Sequence, residues 1–281
     1  MNINEWMRGA CRALTESGCP DPEIDARWMA EDVLGMTRTD LKFEGDREVT
    51  PGAMDRLNAM LARRVAGEPV QYILESADFM GLKFYVDRRV LIPRQDTETL
   101  VENALIAVTR LGNAAVLDLC TGSGCVGLSL KNLAPRASVT LTDISRDALE
   151  VARKNAELLE GDATIRHGDL FKAVGRARFD VIVSNPPYIP HVDLSDLQRE
   201  VRFEPALALD GGRDGLDIYR RIASDAPKHL NPGGSIYLEV GIGEAQAVLD
   251  LLRENLDCAD SGVIKDLNGI DRVVWGRLPH P

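Results

Sequence analysis

The stretch Ala115-Val116-Leu117-Asp118-Leu119-Cys120-Thr121-Gly122-Ser123-Gly124 decides the fold class, because a short apolar strand leads directly into a turn with two glycines. Gly122 and Gly124 allow the backbone to turn tightly and to approach a ligand without a clash from a Cβ atom. The helix predicted next presents free N–H groups that favour a carboxylate. The string Gly122-x-Gly124-x-x-Gly127 also satisfies the glycine pattern of dinucleotide sites, and a simple tight turn shares it, so alone it selects no ligand.

Strands and helices alternate around this stretch, from about Pro93 onwards. The predicted helices are residues 96–110, 146–159 and 243–255, and the further strand candidates are residues 138–142, 163–166, 179–184 and 235–240. Strands separated by helices imply a parallel sheet that is covered on both faces. Residues 263–266 and 272–275 are separated by five residues only, which is too short for a parallel crossover. We therefore predict an antiparallel hairpin at the sheet edge.

The first part of the chain is predicted to be helical. Apolar residues recur at helical spacing at Ile3, Trp6, Met7, Ala10 and Leu14. Two further helices have start signals, Asp21-Pro22 and Thr50-Pro51, and glycine stop signals, Gly35 and Gly67. A small helical bundle of this kind is typical of a recognition module.

The period of the apolar residues changes towards two between residues 70 and 90. Apolar and polar residues alternate over residues 70–74, and Phe84 and Val86 continue the alternation after Gly81. This pattern predicts a β-hairpin. We therefore divide the chain into a helical substrate-recognition domain at residues 1–74, a hairpin linker at residues 75–92 and an α/β domain at residues 93–281.

Composition excludes several classes of function. The net charge of −11 disfavours a surface that follows a phosphate backbone. The five cysteines contain no Cys-x-x-Cys pair, and the four histidines are scattered, so no metal site is expected. The N-terminal residues lack the basic and apolar regions of a signal peptide, and no apolar run is long enough for a membrane span. We expect a cytoplasmic protein without a membrane or direct nucleic-acid partner.

Two acidic residues follow the next two strands. Asp143 comes 25 residues after Asp118, where a carboxylate would accept hydrogen bonds from two ribose hydroxyls. Asp169-Leu170-Phe171 follows the third strand, where the acid could bond an adenine amino group and the apolar residues could pack on its ring. An exposed turn acid beside core residues explains this pattern equally well. These positions leave a nicotinamide dinucleotide and S-adenosylmethionine as comparable ligands.

Asn185-Pro186-Pro187-Tyr188 follows the apolar strand Val181-Ile182-Val183 directly. The two prolines end the strand and restrict φ, which fixes the direction of the neighbouring carbonyls. The Asn185 side-chain oxygen and the Pro186 carbonyl could then accept both hydrogens of one planar NH2 group, while Tyr188 stacks on the group that carries it. A rigid turn or a peptide ligand of a WW-type module is less favoured, because the motif follows a buried type of strand.

At these residues the chain resembles the release-factor glutamine methyltransferases, the PrmC/HemK family. The resemblance extends over nearly the whole chain and includes Gly67 to Ile73, Gly81 to Val86, Val90 to Glu98, Asp118 to Gly124, Arg202 to Pro205, Gly211 to Asp217 and Lys265 to Leu267. It implies a class I, Rossmann-like methyltransferase domain with seven strands, a small N-terminal helical bundle and a β-hairpin linker. It also implies methyl transfer from S-adenosylmethionine, with S-adenosylhomocysteine as product, to the glutamine side-chain nitrogen in the Gly-Gly-Gln motif of class 1 peptide chain release factors.

Carried over position by position, the resemblance implies two sets of residues. The cofactor set is Cys120, Thr121, Gly122, Ser123, Gly124, Asp143, Leu170 and Asn185. The substrate set is Asn185, Pro186, Pro187 and Tyr188, of which Asn185, Pro186 and Tyr188 are the catalytic residues. The chain departs from the family at Cys120, where the loop often begins with glycine.

Several alternatives remain open on the sequence. The string from Asp118 to Cys125 is shared with sister enzymes that methylate a glutamine of a large-subunit ribosomal protein. Adenine-N6 methyltransferases have a similar clamp, but they normally need a basic groove, which the charge of −11 disfavours. A nicotinamide-dependent oxidoreductase would leave the clamp without a role, and a non-enzymatic scaffold would need neither clamp nor glycine loop.

Overall fold

The computed structural model describes residues 1–280, which divide into two compact units. The first unit contains Met1–Ser76 together with Gln198–Phe203, and the second contains Ala77–Leu197 together with the remaining C-terminal residues. The predicted domain limits at residues 74 and 92 stay a prediction. No helix in the described part of the chain is long and apolar enough to cross a membrane.

The first unit is helical, and its helices begin where the capping signals stand. The helices are α1 (Ile3–Glu16), α2 (Pro22–Leu34), α3 (Arg38–Phe43), α4 (Pro51–Val65) and α5 (Val70–Leu74). Asn2 and Glu5 form a capping box at α1, and the Thr50 side chain accepts from the Ala53 N–H at α4. Gly35 ends α2 in the left-handed conformation with φ 64°. Helices α2 and α4 begin at the predicted prolines, and α2 ends at Gly35 as predicted. The Asp21 side chain makes no capping hydrogen bond, however, and α4 ends at Val65 with Ala66 as its C-cap.

The core of this unit combines apolar packing with one buried ion cluster. Trp6, Met29 and Leu57 belong to the apolar part. Arg64 of α4 donates to the Asp25 carboxylate of α2 at 2.5 Å, and both side chains are almost fully buried. Arg64 also pairs with Glu200 of the Gln198–Phe203 segment at 3.0 Å. This guanidinium therefore connects two helices and one distant segment of the same unit.

The prediction of a strand over residues 70–74 was wrong, because this segment is α5. Pro69 precedes the helix with φ −54°, and Glu75 ends it in the left-handed conformation with φ 53°. One turn of helix buries Val70, Tyr72 and Ile73, and over so few residues this pattern differs little from alternation. The hairpin that the sequence predicted is confined to β1 (Ala77–Phe79) and β2 (Leu82–Phe84).

The second unit is a three-layer α/β domain. Its helices are α6 (Glu98–Leu111), α7 (Cys125–Leu133), α8 (Arg146–Leu158), α9 (Asp217–His229) and α10 (Ala245–Asn255). Its strands are β3 (Ala115–Leu119), β4 (Ser138–Asp143), β5 (Ala163–His167), β6 (Phe179–Ser184), β7 (Leu230–Glu239), β8 (Asp260–Lys265) and β9 (Asp271–Arg277). Within residues 1–280 these strands form one seven-stranded sheet in the order β5-β4-β3-β6-β7-β9-β8. The class I methyltransferase fold is confirmed.

The sheet topology positions the site. The five strands β3, β4, β5, β6 and β7 are parallel, and β9 and β8 add an antiparallel edge, as the sequence predicted. The strand order reverses between β3 and β6, where Leu119 lies opposite Ser184. The Ser184 hydroxyl donates to the Leu119 carbonyl at 2.8 Å and joins the two strand ends. Ligands of open α/β sheets bind at such a reversal, beyond the carboxyl ends of the strands.

Two elements extend beyond the predictions. Strand β7 begins at Leu230, five residues before the predicted start, and includes a glycine-rich segment that has no strand signal. Helix α9 lies in a part of the chain for which we made no prediction, and it contains Pro227 in its last turn. Both elements belong to the same apolar core cluster, through Tyr219, Ile222 and Leu230.

Candidate active site

A cavity of about 260 Å³ lies at the carboxyl ends of β3, β4 and β6. Most of the residues that we predicted for the cofactor and the substrate line it. They are Cys120, Thr121, Gly122, Ser123, Asp143, Leu170, Asn185 and Pro187. Gly124, Pro186 and Tyr188 are adjacent in sequence but are not among the lining residues. The roles of all these residues stay predictions.

The loop after β3 has an unusual backbone. Cys120, Gly122 and Gly124 have positive φ angles of 57°, 55° and 85°. Cys120 adopts this conformation although it has a Cβ atom, which costs roughly 1 kcal/mol or more. The structure thus gives a physical reason for the glycine that related loops often have at this position. The loop ends at the N-terminus of α7, whose first N–H groups are available to an anion.

Asp118, near the end of β3, holds this loop in place through two hydrogen bonds. Its Oδ2 accepts from the Thr121 hydroxyl at 2.6 Å and from the Gly127 N–H at 2.9 Å. Burial raises the pKa of Asp118 to about 7, although both hydrogen bonds act in the opposite direction. This carboxyl is therefore committed to the loop and to the start of α7.

Asp143 lies at the end of β4 and faces the same loop. Its two oxygens accept from the Gly122 N–H at 2.9 Å and from the Ser145 N–H at 2.8 Å. Burial raises its pKa, while the backbone hydrogen bonds favour the charged form. Each carboxylate oxygen keeps a further lone pair, so the group has the capacity to accept from two hydroxyls of a ligand.

Leu170 follows β5 and reaches the cavity with φ 50°. The neighbouring Asp169 pairs with Arg221 at 2.5 Å and with Lys172 at 3.0 Å. These two cations lower the pKa of Asp169, the Arg221 hydrogen bond being the larger cause. Asp169 is among the lining residues, and the prediction that it bonds an adenine amino group remains a prediction.

Asn185 is the first residue after β6 and lines the cavity. Its Nδ2 donates to the Thr97 hydroxyl at 3.3 Å. Since one end of the amide is engaged in this way, the Oδ1 end is left for another donor. The role of this oxygen as an acceptor for a substrate NH2 group stays a prediction.

Tyr188 is packed by three glycines. A Cβ atom on Gly211 would lie 2.7 Å from the Tyr188 backbone, and one on Gly241 would lie 3.0 Å from its ring. Gly215 has no room for a Cβ atom either, because the Tyr188 carbonyl oxygen stands in the way. Burial raises the pKa of the Tyr188 phenol to about 12, so the hydroxyl stays protonated at neutral pH.

Four polar residues around the clamp have no role in the predictions made from the sequence. Arg94 pairs with Glu204 at 2.5 Å, across 110 residues of sequence. Thr97 and Glu239 are buried beside Asn185. Arg94, Thr97 and Glu204 lie in segments that carry the family resemblance. A pairing between residues as far apart in sequence as Arg94 and Glu204 leaves no pattern in a single sequence.

Comparisons with known proteins agree with this architecture. Residues 5–74 match the family description "PrmC N-terminal domain", and residues 96–201 match "Methyltransferase small domain". The release factor glutamine methyltransferase of Geobacter sulfurreducens is 44% identical over 98% of this chain and 95% of its own length. The enzyme of the same name from Koribacter versatilis is 39% identical over 99% of both chains.

The chain belongs to the release factor glutamine methyltransferases. It is therefore an enzyme of this methyltransferase family, and the resemblance that the motifs indicated is confirmed.

Solved structures show the same fold at low sequence identity. A methyltransferase from Pyrococcus furiosus has a TM-score of 0.54 at 18% identity and covers 82% of this chain and 100% of its own. A T. thermophilus 16S rRNA methyltransferase, solved with AdoMet and guanosine, has a TM-score of 0.50 at 24% identity and covers 72% of this chain and 49% of its own. These similarities concern the fold alone.

Proposed function

We propose that this chain transfers a methyl group from S-adenosylmethionine to the side-chain amide nitrogen of the glutamine in the Gly-Gly-Gln motif of class 1 peptide chain release factors. The observation that carries the proposal is the position of the Asn185-Pro186-Pro187-Tyr188 clamp. Asn185 and Pro187 line the same cavity as the glycine loop and Asp143. An acceptor for a planar NH2 group therefore stands beside a site for a nucleoside.

The residues of the cavity fit S-adenosylmethionine. The N-terminus of α7 and the glycine loop suit the carboxylate of the methionine part, because their free N–H groups favour an anion. Asp143 suits two ribose hydroxyls, and Leu170 offers an apolar surface for the base. When bound, the sulfonium supplies an electrophilic methyl group.

The clamp orients the nitrogen that is methylated. An amide nitrogen is a weak nucleophile because its lone pair is delocalised into the carbonyl group. Asn185 Oδ1 and the Pro186 carbonyl would accept its two hydrogens, which fixes its position and increases its electron density. The Tyr188 ring, which packs against Gly241, would stack on the plane of the amide. The methylated cation loses a proton readily, so this mechanism requires no titrating base.

A release factor is favoured over two other substrates. The relatives from Geobacter sulfurreducens and Koribacter versatilis, which match almost the whole chain, are named for release factors. Adenine in nucleic acid presents a similar NH2 group, but a net charge of −11 opposes a phosphate backbone.

A substrate panel tests this proposal. The protein is incubated with S-adenosylmethionine labelled in the methyl group and, separately, with a class 1 release factor, its Gly-Gly-Ala variant, the ribosomal protein and DNA. We expect label on the release factor and none on its variant. Label on the ribosomal protein alone would move the chain to the sister enzymes, and label on DNA alone would contradict glutamine methylation.

A further inference from the structure

Glu239 is a buried carboxyl for which the methyl-transfer mechanism above has no use. It is the last residue of β7 and is 1% exposed. Within residues 1–280 its Oε2 has no hydrogen-bond partner, and the nearby Thr97 side chain acts against the rise in the pKa of this carboxyl. Burying a carboxyl that is only partly satisfied costs free energy. A carboxyl retained at such a cost is a candidate for a functional role.

Thr97 lies between Glu239 and the clamp. It ends the short 3-10 helix Gln95–Thr97, is 2% exposed and lines the cavity. Its hydroxyl oxygen accepts from Asn185 Nδ2 at 3.3 Å. A hydroxyl has one hydrogen, and an ionised Glu239 carboxylate beside it would draw that hydrogen, which leaves the lone pairs of the hydroxyl for the Asn185 amide. Glu239, Thr97 and Asn185 therefore follow one another from the buried end of β7 to the cavity.

This arrangement of Glu239, Thr97 and Asn185 sets the orientation of the Asn185 amide. With Nδ2 on Thr97, Oδ1 is the end that remains for a substrate. The reverse orientation would place an NH2 group against the NH2 group of the substrate, and no hydrogen bond would form between them. On the basis of the proposed glutamine methylation, we propose that Thr97 and Glu239 are positioning residues that hold the Asn185 amide with its oxygen towards the substrate nitrogen.

The protonation state of Glu239 would control this orientation. An ionised carboxylate accepts only and fixes the Thr97 hydrogen, whereas a protonated carboxyl donates and releases that hydrogen towards Asn185. Burial raises the pKa of Glu239 to about 7, against the opposing effects of the Thr97 side chain and the charge of Arg272. The other charged or titratable groups that act on Glu239 or feel its charge are Arg94, Asp96, Cys125, Tyr188 and Tyr219. We therefore expect kcat to rise with pH through this region.

Three variants separate positioning from packing. Thr97→Val keeps the shape and removes the hydroxyl, and we expect it to lower kcat about tenfold, the effect of one lost hydrogen bond, with much less change in the affinity for S-adenosylmethionine. Thr97→Ser keeps the hydroxyl and should restore most of kcat. Ser129→Ala is the matched control, because Ser129 is a fully buried hydroxyl in α7 without a partner among the described residues. It should leave kcat unchanged.

The pH profile of Glu239→Gln provides an independent kinetic test. Asp118 and Glu244 also have pKa values raised to about 7 by burial, so the profile must be read as a difference from wild type. Glutamine does not titrate, and the step in kcat that belongs to Glu239 should disappear. In the double variant with Thr97→Val, the second substitution should add little, because both act on the same arrangement of Glu239, Thr97 and Asn185.

A measurement without substrate separates this inference from the proposed function. In ¹⁵N-labelled protein, the side-chain NH2 signal of Asn185, assigned with Asn185→Ala, reports the hydrogen bond to Thr97 directly. We expect its hydrogen exchange to accelerate at least about tenfold in Thr97→Val and to stay slow in Thr97→Ser. Wild-type protein that fails to methylate a release factor would remove the proposed function and leave this result in place.

The inference is overturned by either of two outcomes. One is a folded Thr97→Val variant with wild-type kcat and wild-type exchange of the Asn185 NH2 group. The other is a Thr97→Ser variant that is as impaired as Thr97→Val, because loss of the methyl group alone would then explain the effect. If Thr97→Val does not fold, Glu239→Gln decides the matter by whether the pH step persists.

Discussion

Two carboxyl side chains at the strand ends differ in the hydrogen bonds that they make. Asp118 and Asp143 are both carboxyls beside the glycine loop, but they face different partners. Asp118 binds the Thr121 hydroxyl and the Gly127 N–H, whereas Asp143 binds one loop N–H and retains lone pairs towards the cavity. A residue's position in the hydrogen-bond network, rather than its type, therefore assigns its role.

Substitution of Asp143 tests this assignment. Asp143→Ala removes the acceptor for ligand hydroxyls and releases the Gly122 N–H, so we expect the dissociation constant for S-adenosylmethionine to rise at least about tenfold. Isothermal titration calorimetry measures the change. Asp162→Ala removes an exposed acid and serves as the control. Unaltered affinity in Asp143→Ala would exclude Asp143 from the site.

Secondary-structure elements must approach closely to form the cavity. Helix α7 packs on the sheet at Gly127, where an added Cβ atom would lie 3.0 Å from Asp118 Oδ2 and would overlap the Leu141 side chain. The third glycine of the loop motif is therefore required for packing, while Gly122 and Gly124 are required for positive φ angles. One string of sequence thus meets two separate physical demands.

A pair of glycine substitutions tests the packing demand at Gly127. Gly127→Ala should lower the free energy of unfolding by about 1–3 kcal/mol through overpacking, and should weaken cofactor binding through Asp118. Gly9→Ala, in the interior of α1 with no atom within 4 Å of its Cβ, should instead stabilise the protein by roughly 0.5–1 kcal/mol. Urea denaturation measures both. Equal effects of the two substitutions would contradict the packing role of Gly127.

The buried ion pair between Arg64 and Asp25 should stabilise the contact between α2 and α4. Arg64→Ala would leave Asp25 buried without its cation, so we expect a loss of about 3–5 kcal/mol in the free energy of unfolding. Arg47→Ala breaks an exposed pair with Glu44 and should cost no more than about 1 kcal/mol. Denaturant unfolding compares the two variants, and similar losses would show that burial does not matter here.

At the scale of the whole molecule, buried acids link stability to pH. Burial raises the pKa values of Asp118, Glu239 and Glu244 to about 7, well above those of free carboxyls. Between about pH 4 and about pH 7 the folded state thus holds protons that the unfolded state has lost. The stabilisation from these groups is complete at the lower end and is lost as pH rises through the folded-state pKa.

We therefore expect the free energy of unfolding to fall as pH rises from about 5 to about 8. Each fully titrating group contributes about 1.4 kcal/mol per pH unit within its window. Urea titrations at several pH values give the slope. Asp118→Asn, which keeps an oxygen acceptor for Thr121 and Gly127, should flatten it. A slope unchanged by this substitution would mean that Asp118 is ionised throughout the range.

Much of this architecture was predictable from local signals. Strand β6 matches its predicted limits, and β8 and β9 form the expected antiparallel edge, because burial and short connections leave clear patterns. Residues 70–74 misled the prediction, since one turn of helix and a short strand bury similar positions. The links from Thr97 to Asn185 and Glu239 were invisible, because they span 88 residues or more and depend on how the sheet brings strand ends together.

The central claim is that the Asn185-Pro186-Pro187-Tyr188 clamp orients a glutamine side-chain amide for methylation by S-adenosylmethionine. Mass spectrometry of a class 1 release factor, after incubation with S-adenosylmethionine and either wild-type protein or Asn185→Ala, tests it most directly. The account predicts one methyl group on the glutamine of the Gly-Gly-Gln motif with wild type, and none with a variant that still binds the cofactor. A methyl group on another residue, or undiminished methylation by Asn185→Ala, would contradict it.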